Sequence, residues 1–204
     1  MQMAHVSKPA RSGRGCRALA AACSAILAVS ALLAAGAAWA LPGETGYDVK
    51  AGYLLDFGRF LRVTGAAPAD RRATFDICIL GDDPLGHLLD DAVANQVIDG
   101  RPVRAVRIGD AHAAKGCDIV FLSPDEGDGI PLDLDAIGKA DVLTVSDAQD
   151  FLKYGGMIQF VEEGGHVRFA VNLDAVNRTH ITLSSELLRV ASSVIGKPPA
   201  EEQP

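Results

Sequence analysis

Thr74-Phe75-Asp76-Ile77-Cys78-Ile79-Leu80-Gly81-Asp82-Asp83-Pro84 is the stretch on which the fold turns. An apolar run over 74–80 closed by a Gly-Asp-Asp-Pro turn predicts a strand, and Pro84 is placed to open a helix through Leu85, Leu88, Leu89 and Val93. The same alternation continues downstream. Strands are predicted at Val103–Ile108, at the buried run Ile119–Leu122 and at Val142–Val145. Short helices fall between them around Leu132–Ile137 and through Phe151, the last capped by Ser146-Asp147. Strands alternating with helices are the pattern of parallel strands joined by crossovers.

Upstream, Val49, Tyr53, Leu54, Phe57, Phe60 and Leu61 have the spacing of an amphipathic helix over Tyr47–Arg62, which opens the domain. The C-terminal end differs in kind. Met157–Val161 and His166–Val171, separated by Glu162-Glu163-Gly164-Gly165, read as a hairpin. A last helix is expected from Ser184-Ser185-Glu186 through Val194, and residues 197–204 as a disordered tail. The expected fold class is α/β: one domain with a largely parallel sheet flanked by helices and a C-terminal hairpin.

The N-terminal 40 residues read as an export signal. After Arg11, Arg14 and Arg17 comes an uncharged stretch from Ala18 to Ala40, ending Ala38-Trp39-Ala40 with Pro42 just beyond. A basic segment, an apolar core and small residues at alternate positions are what signal peptidase requires, so cleavage is expected after Ala40, recognised through Ala38 and Ala40. The competing reading is an uncleaved membrane anchor, since the stretch is long enough to span a bilayer. The domain division is therefore a signal peptide at 1–40, an α/β domain at 41–196 and the tail. Either way the domain lies outside the cytoplasm, in the periplasm of a Gram-negative host.

Charge and cysteine follow from that division. The 204-residue chain has 19 Lys and Arg against 26 Asp and Glu, net −7. The four cations before residue 41 are Lys8, Arg11, Arg14 and Arg17, so the remainder carries 15 against 26, or −11. Such a surface repels nucleic acid and anionic lipid, and no nucleic-acid partner is expected. Cys16 and Cys23 leave with the signal, which makes Cys78 and Cys117 a lone pair in an oxidising compartment, where such pairs are usually joined. A redox-active pair is the rival reading, and metal binding a weaker one, because the five His show no ligand spacing around it.

Candidate chemistry is sparse. Two carboxylates at Gly81-Asp82-Asp83-Pro84 repel phosphate, so that turn reads as a helix cap, with a divalent cation as the alternative. Ser184-Ser185-Glu186 reads as a helix start. Arg178 and His180 alternate on an extended segment, where they either anchor a loop or bind a ligand carboxylate. No nucleophile elbow, zinc motif or phosphate loop is present. No catalytic residue, cofactor or metal is expected, and the chain does not read as an enzyme.

Tyr47-Asp48-Val49-Lys50-Ala51-Gly52-Tyr53-Leu54, the first strand with its turn, Gly100-Arg101-Pro102-Val103, Cys117-Asp118-Ile119-Val120-Phe121, Leu143-Thr144-Val145-Ser146-Asp147 and Gly155-Gly156-Met157-Ile158 follow one another along the chain as a series of short blocks. With Val167 to Leu173 and Ser184 to Ala191 they resemble, in order, the YfiR family of periplasmic proteins over about 47–195. Leu61-Arg62-Val63-Thr64 stands where that family usually has a Glu-Trp-Pro-like run. The resemblance implies a dimeric α/β domain with a Cys78–Cys117 disulfide. It further implies a repressor of an inner-membrane diguanylate cyclase, bound through that enzyme's periplasmic sensor domain and released by an outer-membrane lipoprotein. Such a protein lowers cyclic di-GMP and biofilm formation. The alternative is a periplasmic small-molecule binding protein acting with a sensor kinase or transporter. Phe160, His166 and Arg178 are the expected partner-binding residues, chosen for position.

Overall fold

The computed structural model describes residues 46–64, 72–124 and 129–197. The cleavage site at Ala38 and Ala40 and the tail from 198 onward lie outside the described residues. Residues 44–204 form one compact unit. Its elements, in order, are α1 Gly46–Phe60, β1 Leu61–Val63, β2 Phe75–Leu80, α2 His87–Val93, β3 Val97–Ile98, β4 Arg101–Ile108, a 3-10 turn Ala111–Gly116 and β5 Ile119–Leu122. There follow α3 Ile130–Ile137, β6 Leu143–Ser146, β7 Ile158–Glu163, β8 His166–Asn172, α4 Leu173–Val176, β9 Ile181–Leu183, α5 Ser185–Val190 and β10 Ser193–Ile195.

Eight strands make one sheet in the order β10-β8-β7-β6-β5-β2-β4-β3. The pairs β2/β4, β2/β5, β5/β6, β6/β7 and β10/β8 are parallel; β3/β4 and β7/β8 are antiparallel. The expected mostly parallel sheet with a C-terminal hairpin is thus present. Every residue of β2, β5 and β6 is buried, as befits strands covered on both faces. Alternation splits them between two cores. Ile77, Ile79, Ile119, Phe121, Leu143 and Val145 face Leu54 and Phe57 of α1, Leu89 of α2 and Leu85 in the turn before it. Cys78, Leu80, Val120 and Leu122 face Ala114, Ile130, Ile137 and Phe151 on the other side.

Four local expectations are corrected. The first helix stops at Phe60, because Leu61–Val63 pairs antiparallel with Ile181–Leu183 in a small separate sheet. The second begins at His87, not Pro84, since the Asp83 carboxylate accepts the Leu85 and Gly86 N–H groups at 3.0 and 2.8 Å and holds a turn there. Residues 147–155 form turns in place of a capped helix. The last helix ends at Val190, and Ser193–Ile195 becomes a strand on the open side of β8. Elements not expected include β3 and α4. Asp99 and Gly100, at φ 50° and 77°, make the tight turn that pairs β3 with β4. Asn172, accepting from the Ala175 N–H at 3.1 Å, caps the short α4.

Candidate functional site

The surface around the β7–β8 hairpin is built from an aromatic cluster. Val49, Tyr53 and Phe57 recur every four residues along α1 and present one stripe to the hairpin. Ring centroids lie 5.0 Å apart for Phe57–Phe169, 5.5 Å for Tyr53–Phe169 and 5.8 Å for Phe57–Phe160. Phe57, Phe160 and Phe169 are buried, while Tyr53 is half-buried and reaches the surface.

Beside this cluster runs a groove of about 540 Å³, with Val49, Tyr53 and Val167 along its apolar side and Glu162, His166 and Arg168 at its polar side. A smaller depression of about 240 Å³ shares Gly46, Glu162 and Val167 with it and adds Lys50, Asp147 and Phe160. Lys50 and Asp147 are ion-paired there, with side chains 15% and 12% exposed. The Lys50 ammonium also lies 4.3 Å from the centroid of the Tyr47 ring. Ser146 does not cap a helix. Its hydroxyl donates to the Leu122 carbonyl at 2.7 Å and accepts from the Ala148 N–H at 3.0 Å, which turns the chain and aims Asp147 at α1.

The three expected partner-binding residues separate. His166 is exposed at the groove. Phe160 is 3% exposed, so it contributes only floor to the smaller depression, and Tyr53 is the aromatic that lines the groove. Arg178 belongs to another cleft of about 300 Å³, lined also by Lys139, Thr144, Tyr154 and Thr179. It does not share a depression with His166. His180, its neighbour but one, anchors its loop instead: its backbone N–H and ring nitrogen meet the Asp141 carboxylate at 2.9 and 3.1 Å.

Cys78 and Cys117 are joined by a disulfide, Cα to Cα 6.0 Å, which ties β2 to the segment leading into β5. At the same end of β2 sits an ionic cluster. Arg104 donates to both Asp76 oxygens at 2.9 and 2.8 Å, and Arg101 donates to Asp118 at 2.8 Å. Asp118 in turn accepts the Asp76 backbone N–H at 2.9 Å. Burial pushes the Asp76 carboxyl up, but hydrogen bonds from Arg104 and Thr74 and the charges of Arg104 and Arg72 outweigh it, leaving the group below its ordinary value. At the opposite end, Asp83 and Asp90 grip Arg107 at 2.8 and 2.5 Å. These carboxylates are engaged by arginine. Among the described residues, no group of three or more His, Cys, Asp or Glu is placed to hold a metal, and no helix is long and apolar enough to cross a membrane.

The class so far is a disulfide-linked α/β domain with shallow surface grooves. The chain belongs to the YfiR/HmsC-like family, whose model matches residues 47–192. Among solved structures it is similar to a conserved domain protein from Vibrio cholerae, at 14% identity and TM-score 0.45 over 58% of this chain and 54% of that one. It is also similar to an ABC domain in complex with L-Trp from Streptococcus pneumoniae, at 13% identity and TM-score 0.49 over 71% and 60%. The chain thus spans little more than half the length of these structures. No curated protein is a significant match.

Proposed function

We propose that residues 41–204, released by cleavage after Ala40, act in the periplasm as a regulatory binding protein that represses an inner-membrane diguanylate cyclase. The observation that carries this reading is the family match over residues 47–192, nearly the whole chain beyond the export signal. The groove between α1 and the β7–β8 hairpin supplies a surface of suitable kind, apolar along one side and polar along the other. Binding there one conformation of the cyclase's periplasmic sensor domain in preference to another shifts the enzyme's population by the difference in affinity. An outer-membrane lipoprotein that competes for the repressor would restore cyclase activity. Deletion of the gene in its native host tests the proposal: cyclic di-GMP and surface attachment rise. Unchanged cyclic di-GMP, with the partner cyclase shown to be expressed, overturns it.

A second reading, a periplasmic small-molecule binding protein, is favoured by the Arg178 cleft. The Arg178 guanidinium and Lys139 line the same cleft. Two cations against one carboxylate, Asp135, leave the cleft with a cationic excess that suits a carboxylate-bearing ligand. Native mass spectrometry of protein purified from periplasm separates the readings, because a co-purifying small anion lost in Arg178→Ala supports the second.

A further inference from the structure

We infer that Ser123 and Asp147 bind one internal water at the carboxyl ends of β5 and β6, and that this water seats the first turns of α1 on the sheet. The parallel pairing of β5 with β6 ends at Leu122 opposite Ser146, and Ser123 and Asp147 are the next residue on each chain segment. They therefore leave the sheet side by side. Side chains alternate along a strand, so both share the face of Phe121 and Val145, which is the face α1 covers. The pairing of Asp147 with Lys50 of α1 places it on that face independently.

Both side chains carry an unused polar atom. Ser123 is wholly buried, and its Oγ has no hydrogen-bond partner among the described residues. Asp147 is mostly buried, and its Oδ1 likewise has none. Only one other buried side-chain nitrogen or oxygen among the described residues is in this state, Arg101 Nε, at the start of β4 and so at the amino end of the parallel strands. The deficit is confined to one face. On the other face of β6 the Thr144 hydroxyl accepts the Met157 N–H at 3.1 Å, and the Ser146 hydroxyl both donates and accepts. Buried polar atoms forfeit the hydrogen bonds they made in the unfolded chain unless something replaces them, and ordered water is the usual replacement.

The chemistry of the three groups selects that occupant. Asp147 Oδ1 can only accept, the Ser123 hydroxyl can accept, and Lys50 donates to Oδ2 with one of its three protons, leaving two. A water that accepts from Lys50 and donates to Oδ1 and to Ser123 Oγ makes three hydrogen bonds, the common number for buried water. Lys50 already balances the carboxylate, so a further cation is repelled, and Asp147 repels an anion. The water also fixes the plane of the Asp147 carboxylate with Oδ2 turned to Lys50. Ser123 thereby acts as a positioning residue for an ion pair with which it shares no direct hydrogen bond.

A crystal structure of the mature, oxidised protein at about 1.5 Å tests the site directly. One peak should lie about 2.7–3.2 Å from both Ser123 Oγ and Asp147 Oδ1. No peak there, a direct Ser123–Asp147 hydrogen bond, or a peak with the shorter contacts and many oxygens of a metal ion overturns the inference. In solution the sign of Ser123→Ala decides. Deleting a hydroxyl that has no partner leaves the folding constant unchanged or raises it, whereas deleting one that holds the water should lower it about fivefold in urea titrations. The coupling between Lys50 and Asp147, measured by a Lys50→Met and Asp147→Asn double-mutant cycle, should also fall at least threefold in the Ser123→Ala background. A folding constant that does not fall, or a coupling indifferent to Ser123, overturns the inference.

Discussion

Lys50, in the second turn of α1, is ion-paired with Asp147 at the C-terminal end of β6, 97 residues further along the chain. The pair pins the first helix to the sheet. Both side chains line the depression beside the hairpin groove, so its shape depends on the pair. The second Asp147 oxygen, Oδ1, is buried and has no hydrogen-bond partner among the described residues.

That arrangement predicts an asymmetry between single and double variants. Lys50→Met strands a mostly buried carboxylate and should destabilise the domain by about 2–4 kcal/mol, read from urea midpoints. Lys50→Met with Asp147→Leu removes both charges and should recover at least half of that loss. Equal loss in single and double variants would show that packing, not the pairing of charge, is what matters at this site.

At Gly58, α1 packs closely on Ile98 and Phe75. A Cβ there would sit 2.8 Å from Ile98 Cδ1 and 2.9 Å from Phe75 Cζ, whereas one at Gly52 on the same helix meets nothing within 4 Å. Gly58→Ala should destabilise by about 1–3 kcal/mol through overpacking. Gly52→Ala should be neutral or stabilising by up to about 1 kcal/mol, from helix propensity alone. Thermal melts of the two side by side check both signs.

The disulfide closes a loop of sequence separation 39, between residues that are 1% and 3% exposed. Cys78→Ser or Cys117→Ser should lower stability by about 2–5 kcal/mol, and the double variant should resemble either single one. Regulation lost should then track folded protein lost. A double variant as stable as the parent that no longer regulates would identify a redox switch.

Acid should weaken the domain through Asp76. Its carboxyl is held below its ordinary value, so it contributes stability above the unfolded-state value that is lost as pH falls through the folded one. Parent protein should lose urea resistance progressively as pH falls through and below the ordinary carboxylate range, and Asp76→Asn, weaker at neutral pH, should show a flatter acid limb. Parallel slopes for the two proteins would assign the acid limb to other carboxylates.

What was legible in the sequence follows from the range of the interactions that decide each element. Ile119–Leu122 and Phe75–Leu80 are apolar throughout, and covered strands need nothing more to be recognised. Leu61 continues the apolar spacing of α1, yet it pairs with Leu183, more than a hundred residues away, and no local pattern reports that partner. Val190, Ala191 and Val194 likewise keep helical spacing, but the free side of β8 draws Ser193–Ile195 into the sheet. Asp99-Gly100 did carry a turn signal; its two-residue strand was too short to register as a period. At the candidate site, position along the hairpin was enough to place His166 on the surface beside the groove. It could not separate Phe160 from Tyr53, because Phe160 shares the inward parity of Ile158 on β7 while Tyr53, on a different element, is the aromatic that lines the groove.

The regulatory surface gives the last prediction, and the aromatic cluster supplies its internal control. Phe160 packs against Phe57 and Tyr53 at centroid distances of 5.8 and 6.0 Å, so Phe160→Ala should destabilise by about 3–5 kcal/mol and lose regulation by unfolding. His166→Glu and Arg168→Glu change exposed groups at the groove and should leave thermal melts within about 2 °C of the parent. If the groove receives the cyclase's sensor domain, the pair of charge reversals should weaken binding by about tenfold or more and raise cyclic di-GMP in cells. Tyr53→Ser, which removes the aromatic lining the groove, should weaken binding further, toward the thirtyfold loss expected at an interface hot spot. Charge-reversed protein that folds, binds and represses like the parent would move the contact away from the groove, and the Arg178 cleft would be the next surface to vary.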